Sequence, residues 1–477
     1  MSKELFSPVK EQLCLEYGHV QSKKAGEYLQ RLLDILSRNL DFHSQNSRYA
    51  SHNFHAFPAK FPPQLPLEFI TGLTEPDDVV LDPMMGSGTT VLEAYLTGRK
   101  GIGFDIDPLA LMISRVKTTP LHQEKLLQYT HDIVKDAKHQ VHHDSKTLDE
   151  MLLARWDRKT QEFIAYWFAP DIQRELLALV LRIEQIEDNA IRAFFELAFS
   201  AIIITKSGGV SFALDLAHTR PHKAKVVVSK SGKILFGAAC DELEHPGMNA
   251  LTKKLRSPMK EFEKRCLQNI KGFANEHSRT ISPDIAYGNA QKLPLEDACV
   301  DLIVTSPPYA SNAIDYMRAH KFSLVWFGYP IEDLSLKRQD YIGGEMVTHI
   351  QYEALPDFTA AIVAEMSSLN AKRGAVLHRY YSEMTRVLRE MYRVLKPGKA
   401  AIVVIGNSVM RGKDTETHNC FADIGRAIGF QVPKIGVRKL DRNKRMLPAG
   451  IKTDTNSQIQ QRMHEEFVIG FCKPEHS

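Results

Sequence analysis

Two short segments, far apart in a chain of 477 residues, carry residue types suited to chemistry, and each directly follows an apolar run. The first, Asp82-Pro83-Met84-Met85-Gly86-Ser87-Gly88-Thr89-Thr90, comes after Val79-Val80-Leu81. Its glycines let the backbone approach a ligand closely beyond the carboxyl end of a strand, where doubly wound sheets bind nucleoside cofactors. A phosphate loop is excluded, because Thr89-Thr90 stand where the Gly-Lys-Ser/Thr ending would place its lysine. The second segment, Thr305-Ser306-Pro307-Pro308-Tyr309, comes after Leu302-Ile303-Val304. Its two prolines end the strand and stiffen the turn. An exocyclic amine conjugated to a ring is a poor nucleophile, so its two hydrogens must be held by acceptors that turn the nitrogen lone pair outward. The Ser306 hydroxyl and the Pro307 carbonyl are suitable acceptors, and Tyr309 offers an aromatic face to the ring.

Other residues fall into place around these two. Phe104-Asp105-Ile106-Asp107-Pro108 ends the next apolar run, and a carboxylate at that strand tip can accept both hydroxyls of a ribose. Asp105 is the first choice, with Asp107 in reserve. Tyr287-Gly288-Asn289-Ala290 ends a third run, where Asn289 either contacts an adenine or caps a turn. Lys60, within Phe57-Pro58-Ala59-Lys60-Phe61-Pro62-Pro63, either pairs with a carboxylate of the cofactor or is a solvated loop lysine. His52 and His55 lack the partners of a zinc site, and the six cysteines are scattered, so no metal centre is expected.

The elements that must position these residues alternate. Val79 to Leu81, the glycine turn, a helix from Val91 to Leu96 and a strand Gly101 to Phe104 make a unit of right-handed crossover length. Val300 to Val304, a helix Glu383 to Leu395 stopped by Lys396-Pro397-Gly398, Ala400 to Ile405 and Phe467 to Phe471 continue the pattern. Strands alternating with helices predict an α/β fold, a doubly wound and mainly parallel sheet. The pattern breaks after Pro108. Amphipathic helical sequence runs from about Gln123 to Ile204, and short strands are expected at Val210 to Leu214 and Val226 to Phe236. The parse is a helical segment over 1–50, a catalytic domain made of 51–115 and 281–477, and an insertion over 116–280 with helices and small strands.

Composition is that of a globular protein, 43% hydrophobic and 25% charged, with a formal charge of +4 that permits a polyanion partner without requiring one. The N-terminal residues lack a signal peptide's apolar core, and no run approaches a membrane span, so a cytoplasmic protein with no membrane partner is expected. Arg220, His222, Lys223, Lys225 and Lys230 in the insertion, and Arg438-Lys439-Leu440-Asp441-Arg442-Asn443-Lys444-Arg445, are candidates for contacting phosphates.

From Phe57 to about Phe471, outside the insertion, the chain resembles the amino-group DNA methyltransferases, which have the class I Rossmann-like fold. Phe57 to Pro63 looks like that family's N-terminal cofactor-contact motif, Asp82 to Thr90 resembles Asp-Pro-Phe-x-Gly-Ser-Gly-Thr-Thr with Met84 in place of phenylalanine, and Ser306 to Tyr309 matches the Ser-Pro-Pro-Tyr catalytic motif. Val394-Leu395-Lys396-Pro397-Gly398 is similar to a helix ending common in class I methyltransferases. The resemblance implies S-adenosylmethionine as cofactor, held by Lys60, Asp82, Met84, Gly86, Ser87, Gly88, Thr89, Thr90, Asp105, Ile106, Asn289 and Ala290. It implies double-stranded DNA as partner, catalysis by Ser306, Pro307, Pro308 and Tyr309, and a nucleoid-associated protein. In that family serine at the first catalytic position is typical of enzymes that make N4-methylcytosine, while aspartate or asparagine is commoner in those that make N6-methyladenine, so Ser306 favours cytosine, with an N6-adenine enzyme as the alternative. Flipping the base costs about a few kcal/mol, of which stacking on Tyr309 returns about 1–3 kcal/mol. The order of motifs is similar to the alpha arrangement, which makes 116–280 the candidate target-recognition region, although this insertion precedes the third-strand motif.

A cytosine carbon-5 methyltransferase needs a cysteine nucleophile, usually after proline, and the chain has no Pro-Cys pair. An RNA amine methyltransferase would use the same groups, but no RNA-binding module is recognisable. The intact Ser306, Tyr309 and glycine turn argue against a catalytically silent DNA-binding subunit. No nuclease motif is evident, so a cognate restriction endonuclease would be a separate chain.

Overall fold

A computed structural model of the protein describes residues 26–57, 60–203, 209–213, 224, 226–229, 231, 234–236, 252–273, 281–310, 316–344, 350–406, 408–410, 412–440 and 464–475. Helix α1 covers 26–37, and α2 is Gln64–Leu73. The first crossover unit follows as β1 (Val79–Asp82), α3 (Thr89–Leu96) and β2 (Lys100–Asp105). Helix α3 begins two residues before the expected Val91, because Gly88 takes left-handed backbone at φ 70° and closes the loop there. Helix α4 (Pro108–Thr118) starts where Pro108 fixes a helical φ and the Asp107 carboxylate accepts from Leu109 N at 2.8 Å and Ala110 N at 3.2 Å.

Between α4 and the next strand of the main sheet lie α5 (Gln123–His143), α6 (Ser145–Ala154), α7 (Arg158–Trp167), α8 (Pro170–Glu184) and α9 (Asn189–Ile203). A small sheet of order β4-β3-β5 follows, from β3 (Val226–Val228), β4 (Ile234–Phe236) and β5 (Thr252–Lys254), and then α10 (Pro258–Gly272). The run from Val210, expected to be a strand, is reduced among the described residues to a single bridge at Ala213. Phe212 N bonds Trp167 O at 2.8 Å and Ala224 N bonds Phe212 O at 3.0 Å, while Leu214 lies outside the described residues.

The main sheet resumes with β6 (Asp284–Tyr287) and β7 (Val300–Thr305). Then come α11 (Met317–Leu324), α12 (Ile331–Lys337), α13 (Asp357–Leu369), α14 (Ala371–Val394) and β8 (Leu395–Gly406). Strand β8 begins earlier than Ala400, and Lys396-Pro397-Gly398 is an irregularity inside it rather than a loop before it. Its register against β7 shifts between Val300 and Leu302, with Gly398 at φ 74°. A hairpin of β9 (Val409–Met410) and β10 (Lys413–Asp414), helix α15 (Thr417–Ile428), β11 (Gln431–Lys439) and β12 (Glu465–Cys472) complete the described chain.

The seven strands run in the order β11-β12-β8-β7-β1-β2-β6. Strands β6, β2, β1, β7 and β8 are parallel, and β12 and β11 are added antiparallel. From β1 the chain winds outward through β2 to β6, then returns to place β7 on the other side of β1. The carboxyl ends of β1 and β7 therefore flank the switch point, where a doubly wound sheet opens a crevice for ligands.

Alternate residues of these strands face opposite layers. Val80, Leu302 and Ile402 pack with Leu32 and Leu36 of α1 and Phe69 of α2, whereas Leu81, Ile303 and Val403 pack with Tyr380 and Leu388 of α14 and Phe421 of α15. The insertion helices have a core of their own, centred on Leu176, Phe195 and Phe262, which also takes in Ile113 of α4 and Phe322 of α11. It is tied to the segment after α11 where Trp156 Nε1 donates to Val325 O at 2.8 Å. Among the described residues no helix is long and apolar enough to cross a membrane.

Candidate active site

The loop after β1 is held by its own backbone. Met85 N bonds Phe104 O at 3.0 Å and Gly88 N bonds Met85 O at 2.8 Å. Gly86 N donates to Asp105 Oδ2 at 2.9 Å, while Ser114 Oγ donates to Gly86 O at 3.2 Å. A side chain at Gly88 would meet Ser114 Oγ at 2.5 Å, so only glycine lets α4 come this close. At Gly86 an added Cβ would lie 3.1 Å from the ring of Phe57, which is how the proline-rich segment comes to lie on the loop. Phe57 in turn stacks on Tyr316 with ring centres 4.8 Å apart.

The two acids at the tip of β2 have different duties. Asp105 accepts from Gly86 N with one oxygen and from Asp107 N at 2.9 Å with the other, so it shapes the loop while remaining at the crevice. Asp107, the reserve ribose acceptor, is buried and occupied: beyond capping α4, its Oδ2 accepts from His320 Nδ1 and Tyr341 Oη, both at 2.7 Å. Burial pushes its carboxyl up, but His320, Tyr341 and the helix N–H groups outweigh that and hold it below the usual value. Asp107 is thus a corner post joining α4, α11 and the segment after α12, and it is corrected from the list of ribose candidates.

Asp82 and Thr305 join the tips of β1 and β7. Thr305 Oγ1 donates to Asp82 Oδ1 at 2.7 Å, Met84 N donates to the same oxygen at 3.2 Å, and burial pushes the Asp82 carboxyl up to about 7. Thr90 at the start of α3 adds a bond from its hydroxyl to Val304 O at 3.1 Å. Ser87 and Thr89 are buried in the loop, Met84 packs on the sheet's core, and Ala290 is buried in the same core. Asn289 accepts from Gln291 N at 2.9 Å, the turn-capping role, and also lines a cleft of about 300 Å³ with Ile106, Tyr287 and Arg386.

The turn after β7 is fixed by side chains from distant elements. Tyr380 Oη of α14 donates to Pro308 O at 2.8 Å. Tyr309 is half-buried; its hydroxyl donates to Glu466 Oε1 of β12 at 2.9 Å and lies within hydrogen-bonding reach of Ser306. Ser306 is half-buried at the tip of β7, and Pro307 next to it is buried. Glu466 also pairs with the buried Arg438 opposite it on β11. This corrects the expectation that Arg438 contacts phosphate: the guanidinium is inside the fold, neutralising the carboxylate that anchors Tyr309. Lys439 is exposed, whereas Asp441 to Arg445 and the basic residues Arg220, His222, Lys223, Lys225 and Lys230 lie outside the described residues.

Behind the glycine loop is a buried polar group of side chains. Glu93 of α3 accepts from Tyr49 Oη at 2.7 Å and His52 Nε2 at 2.6 Å, and burial raises its carboxyl to about 7. Lys60 Nζ donates to His52 O at 2.8 Å, and His55 bonds Ser200 Oγ at 3.0 Å. Lys117 of α4, fully buried, donates from Nζ to Ser87 O at 2.6 Å; burial first and Lys60 second push its ammonium well below the usual lysine value. Among the described residues no group of three or more His, Cys, Asp or Glu side chains is placed to hold a metal ion.

Sequence inspection missed Lys117, Glu466, His320 and Tyr341. The arrangement fits a nucleoside with a short zwitterionic tail: a crevice between two strand tips, a glycine loop with no lysine of its own, an acid at the next tip, and cations behind the loop rather than on it.

Comparison with known proteins agrees with the geometry. A family model for DNA methylases of the N6/N4 type matches residues 9–115. The Type II methyltransferase M.MvaI of Kocuria varians is 27% identical over 479 residues, covering 93% of this chain and 98% of that protein. M.BsoBI of Geobacillus stearothermophilus, also a Type II methyltransferase, is 22% identical over 491 residues, covering 91% of this chain and 88% of its own. A third, M.PvuII of Proteus hauseri, is 44% identical over 73 residues, 15% of this chain and 22% of that protein.

Proposed function

From the premise that this chain belongs to the amino-group DNA methylases, whose methyl donor is S-adenosylmethionine, we propose that it methylates N4 of cytosine at specific sites in double-stranded DNA. The observation that carries the choice of base is Ser306 at the first catalytic position, half-buried at the tip of β7 beside Pro307. Serine there is typical of the N4-cytosine enzymes that the chain resembles, and the N4 amine, like adenine N6, has two hydrogens to be held. One hydroxyl and one carbonyl are enough to hold both hydrogens and leave the lone pair pointing out of the ring plane.

S-adenosylmethionine brings an electrophilic methyl group on a sulfonium centre. Its cradle is assigned to the loop residues Asp82, Met84, Gly86, Ser87, Gly88, Thr89 and Thr90, with Asp105 and Ile106 at the ribose, Asn289 and Ala290 at the adenine, and Lys60 at the far end. Ser306 and Pro307 orient the amine, Pro308 fixes the turn through Tyr380, and the Tyr309 face receives the base after it leaves the stack. Because Tyr309 is tethered through its hydroxyl, the ring is positioned before the base arrives, and little ordering is left to the moment of reaction. No cysteine is needed, and the transfer proceeds without a covalent enzyme intermediate.

Target recognition is assigned to the insertion, 116–280, whose described helices share a core with α4 and α11. Cleavage of unmodified DNA would fall to a separate endonuclease, and the place of work is the nucleoid in the cytoplasm.

The test is nucleoside mass spectrometry of DNA from cells expressing the protein or its Ser306→Ala variant. N4-methylcytosine is expected with the intact protein only. N6-methyladenine instead would overturn the argument from Ser306, and neither mark would overturn the activity on DNA.

A further inference from the structure

The second oxygen of Asp107 has no part in capping α4. Oδ1 alone serves Leu109 N and Ala110 N, a duty that an asparagine or a serine fills equally well without a charge. Oδ2 instead collects two donors that lie 213 and 234 positions further along the chain, His320 Nδ1 and Tyr341 Oη, both at 2.7 Å. His320 and Asp107 are both buried, and a charge-assisted bond sheltered from water in this way is strong. Taking a carboxylate out of water is costly, and the four bonds it accepts offset that cost. Three elements, α4, α11 and the segment after α12, are thereby drawn to one point at the tip of β2.

That point governs the acid beside it. The backbone N–H of Asp107 donates to Asp105 Oδ1 at 2.9 Å, and Gly86 N donates to Oδ2, also at 2.9 Å. Each Asp105 oxygen gives one lone pair to the backbone and keeps another, so each can still accept a hydroxyl. The aim of those oxygens depends on where the peptide of Asp107 stands, and that peptide is fixed by the side chain it carries. Tyr341 brings a wall of the crevice with it. Gly343 N donates to Glu383 Oε2 of α14 at 2.8 Å, and Arg379, buried and paired with Glu383 at 2.8 Å, donates to Gln339 O at 3.3 Å. Gln339 and Asp340 of this segment line the cleft of about 300 Å³ together with Ile106 and Asn289. The His320 ring lies 5.5 Å from that of Phe57, which rests on the loop at Gly86.

We propose that His320 and Tyr341 are positioning residues that act through Asp107 to aim the Asp105 carboxylate at the ribose hydroxyls of S-adenosylmethionine. This rests on the methyltransferase reading, with Asp105 as the ribose acceptor, and adds to it two residues that act at one remove from the ligand. A post that merely held the fold together would weaken every ligand of the crevice alike. A positioning pair acts on recognition of the ribose hydroxyls and leaves the rest of the ligand's affinity in place.

Titration calorimetry of the full chain without DNA tests this with two probes, S-adenosylmethionine and its 2′-deoxyribose analogue. The wild type is expected to favour the ribose form by roughly 10- to 100-fold, the range of one hydrogen bond to a charged group. In His320→Leu that preference is lost, because S-adenosylmethionine weakens while the analogue binds as before. In His320→Asn it is kept, since the amide places a donor where Nδ1 stands. Wild-type preference in His320→Leu, an equal loss for both probes, or failure of His320→Asn to rescue overturns the proposal. If the wild type binds neither probe, the methyltransferase reading falls and takes this inference with it; if it binds both equally, the ribose role of Asp105 and this inference fall while that reading stands. Should His320→Leu fail to give a cooperative melt, Tyr341→Phe makes the same comparison with the ring retained, and an undiminished preference there overturns the joint role.

Discussion

The loop after β1 and the turn after β7 stand side by side at the switch point, yet they are held in place by opposite means. The loop is stiff because its backbone is bonded to neighbours that are close in sequence, Phe104, Asp105 and Ser114, and because Gly88 has no side chain to hold α4 away. The turn has prolines where backbone donors would be, and is fixed by hydroxyls reaching in from α14 and out to β12. The lesson is a division of labour: the loop proposed to hold the cofactor is organised locally, whereas the turn proposed to receive the base is organised by the complete sheet. Asp82 and Thr305 are the joint between them.

The largest blow to the local side should come from Gly88→Ala. A methyl there would stand 2.5 Å from Ser114 Oγ at a φ of 70°, so the loop must move. We expect a stability loss of about 1–2 kcal/mol from the left-handed backbone alone, and cofactor affinity down by at least about tenfold. Calorimetry that finds wild-type affinity would remove the claim that this loop is preorganised.

The tethered side is probed more gently by Tyr309→Phe, which keeps the aromatic face and removes the bond to Glu466. That bond, to a carboxylate, is worth about 1.5–3 kcal/mol. Turnover should fall by about tenfold while cofactor affinity stays unchanged, and equal losses in both would show that the two tips are not independently held.

The smallest effect sharpens the joint itself. Burial lifts the Asp82 carboxyl to about 7, above the value of about 3.9 expected in the unfolded chain. The folded protein thus binds that proton more tightly, so the contribution of Asp82 to stability is full below about pH 4 and is lost as pH rises toward 7. Denaturant midpoints of the cofactor-free protein and of Asp82→Asn should show the wild type losing ground to the variant across that window and no further change above it. A difference that does not vary with pH would show that Asp82 titrates normally.

How far the molecule could be read from its sequence follows the same divide. Val79 to Leu81, the glycine turn and Ser306 to Tyr309 are legible because each is a local pattern in which strand, breaker and polar residue follow one another directly. Helix α4 was not seen as a separate element after Pro108, although Asp107 before a proline is a capping signal in plain sight. Asp107 itself was misjudged because its partners His320 and Tyr341 lie more than two hundred positions away. Arg438 looked like one residue of a solvated basic run. Its inward direction is decided by β11 pairing with β12, which puts Glu466 directly opposite, and nothing within the run itself announces that register. Lys117 has the faintest signal of all, a lysine where the last turn of an otherwise apolar helix face goes inside.

The long return of β12 has a consequence for the order in which the molecule is made. Leu36 of α1, the earliest described helix, packs closely against Gly470 of β12, and Leu36 O approaches Gly436 of β11. The anchor of Tyr309 sits on the same strand. On the ribosome, the glycine loop and its neighbours emerge early and can form, but α1 waits for its docking surface and Tyr309 for its tether until the last strands have been synthesised. With the roles proposed above, a nascent chain would hold the methyl donor before it can use it, and competence to modify DNA would arrive only with the closing edge of the sheet.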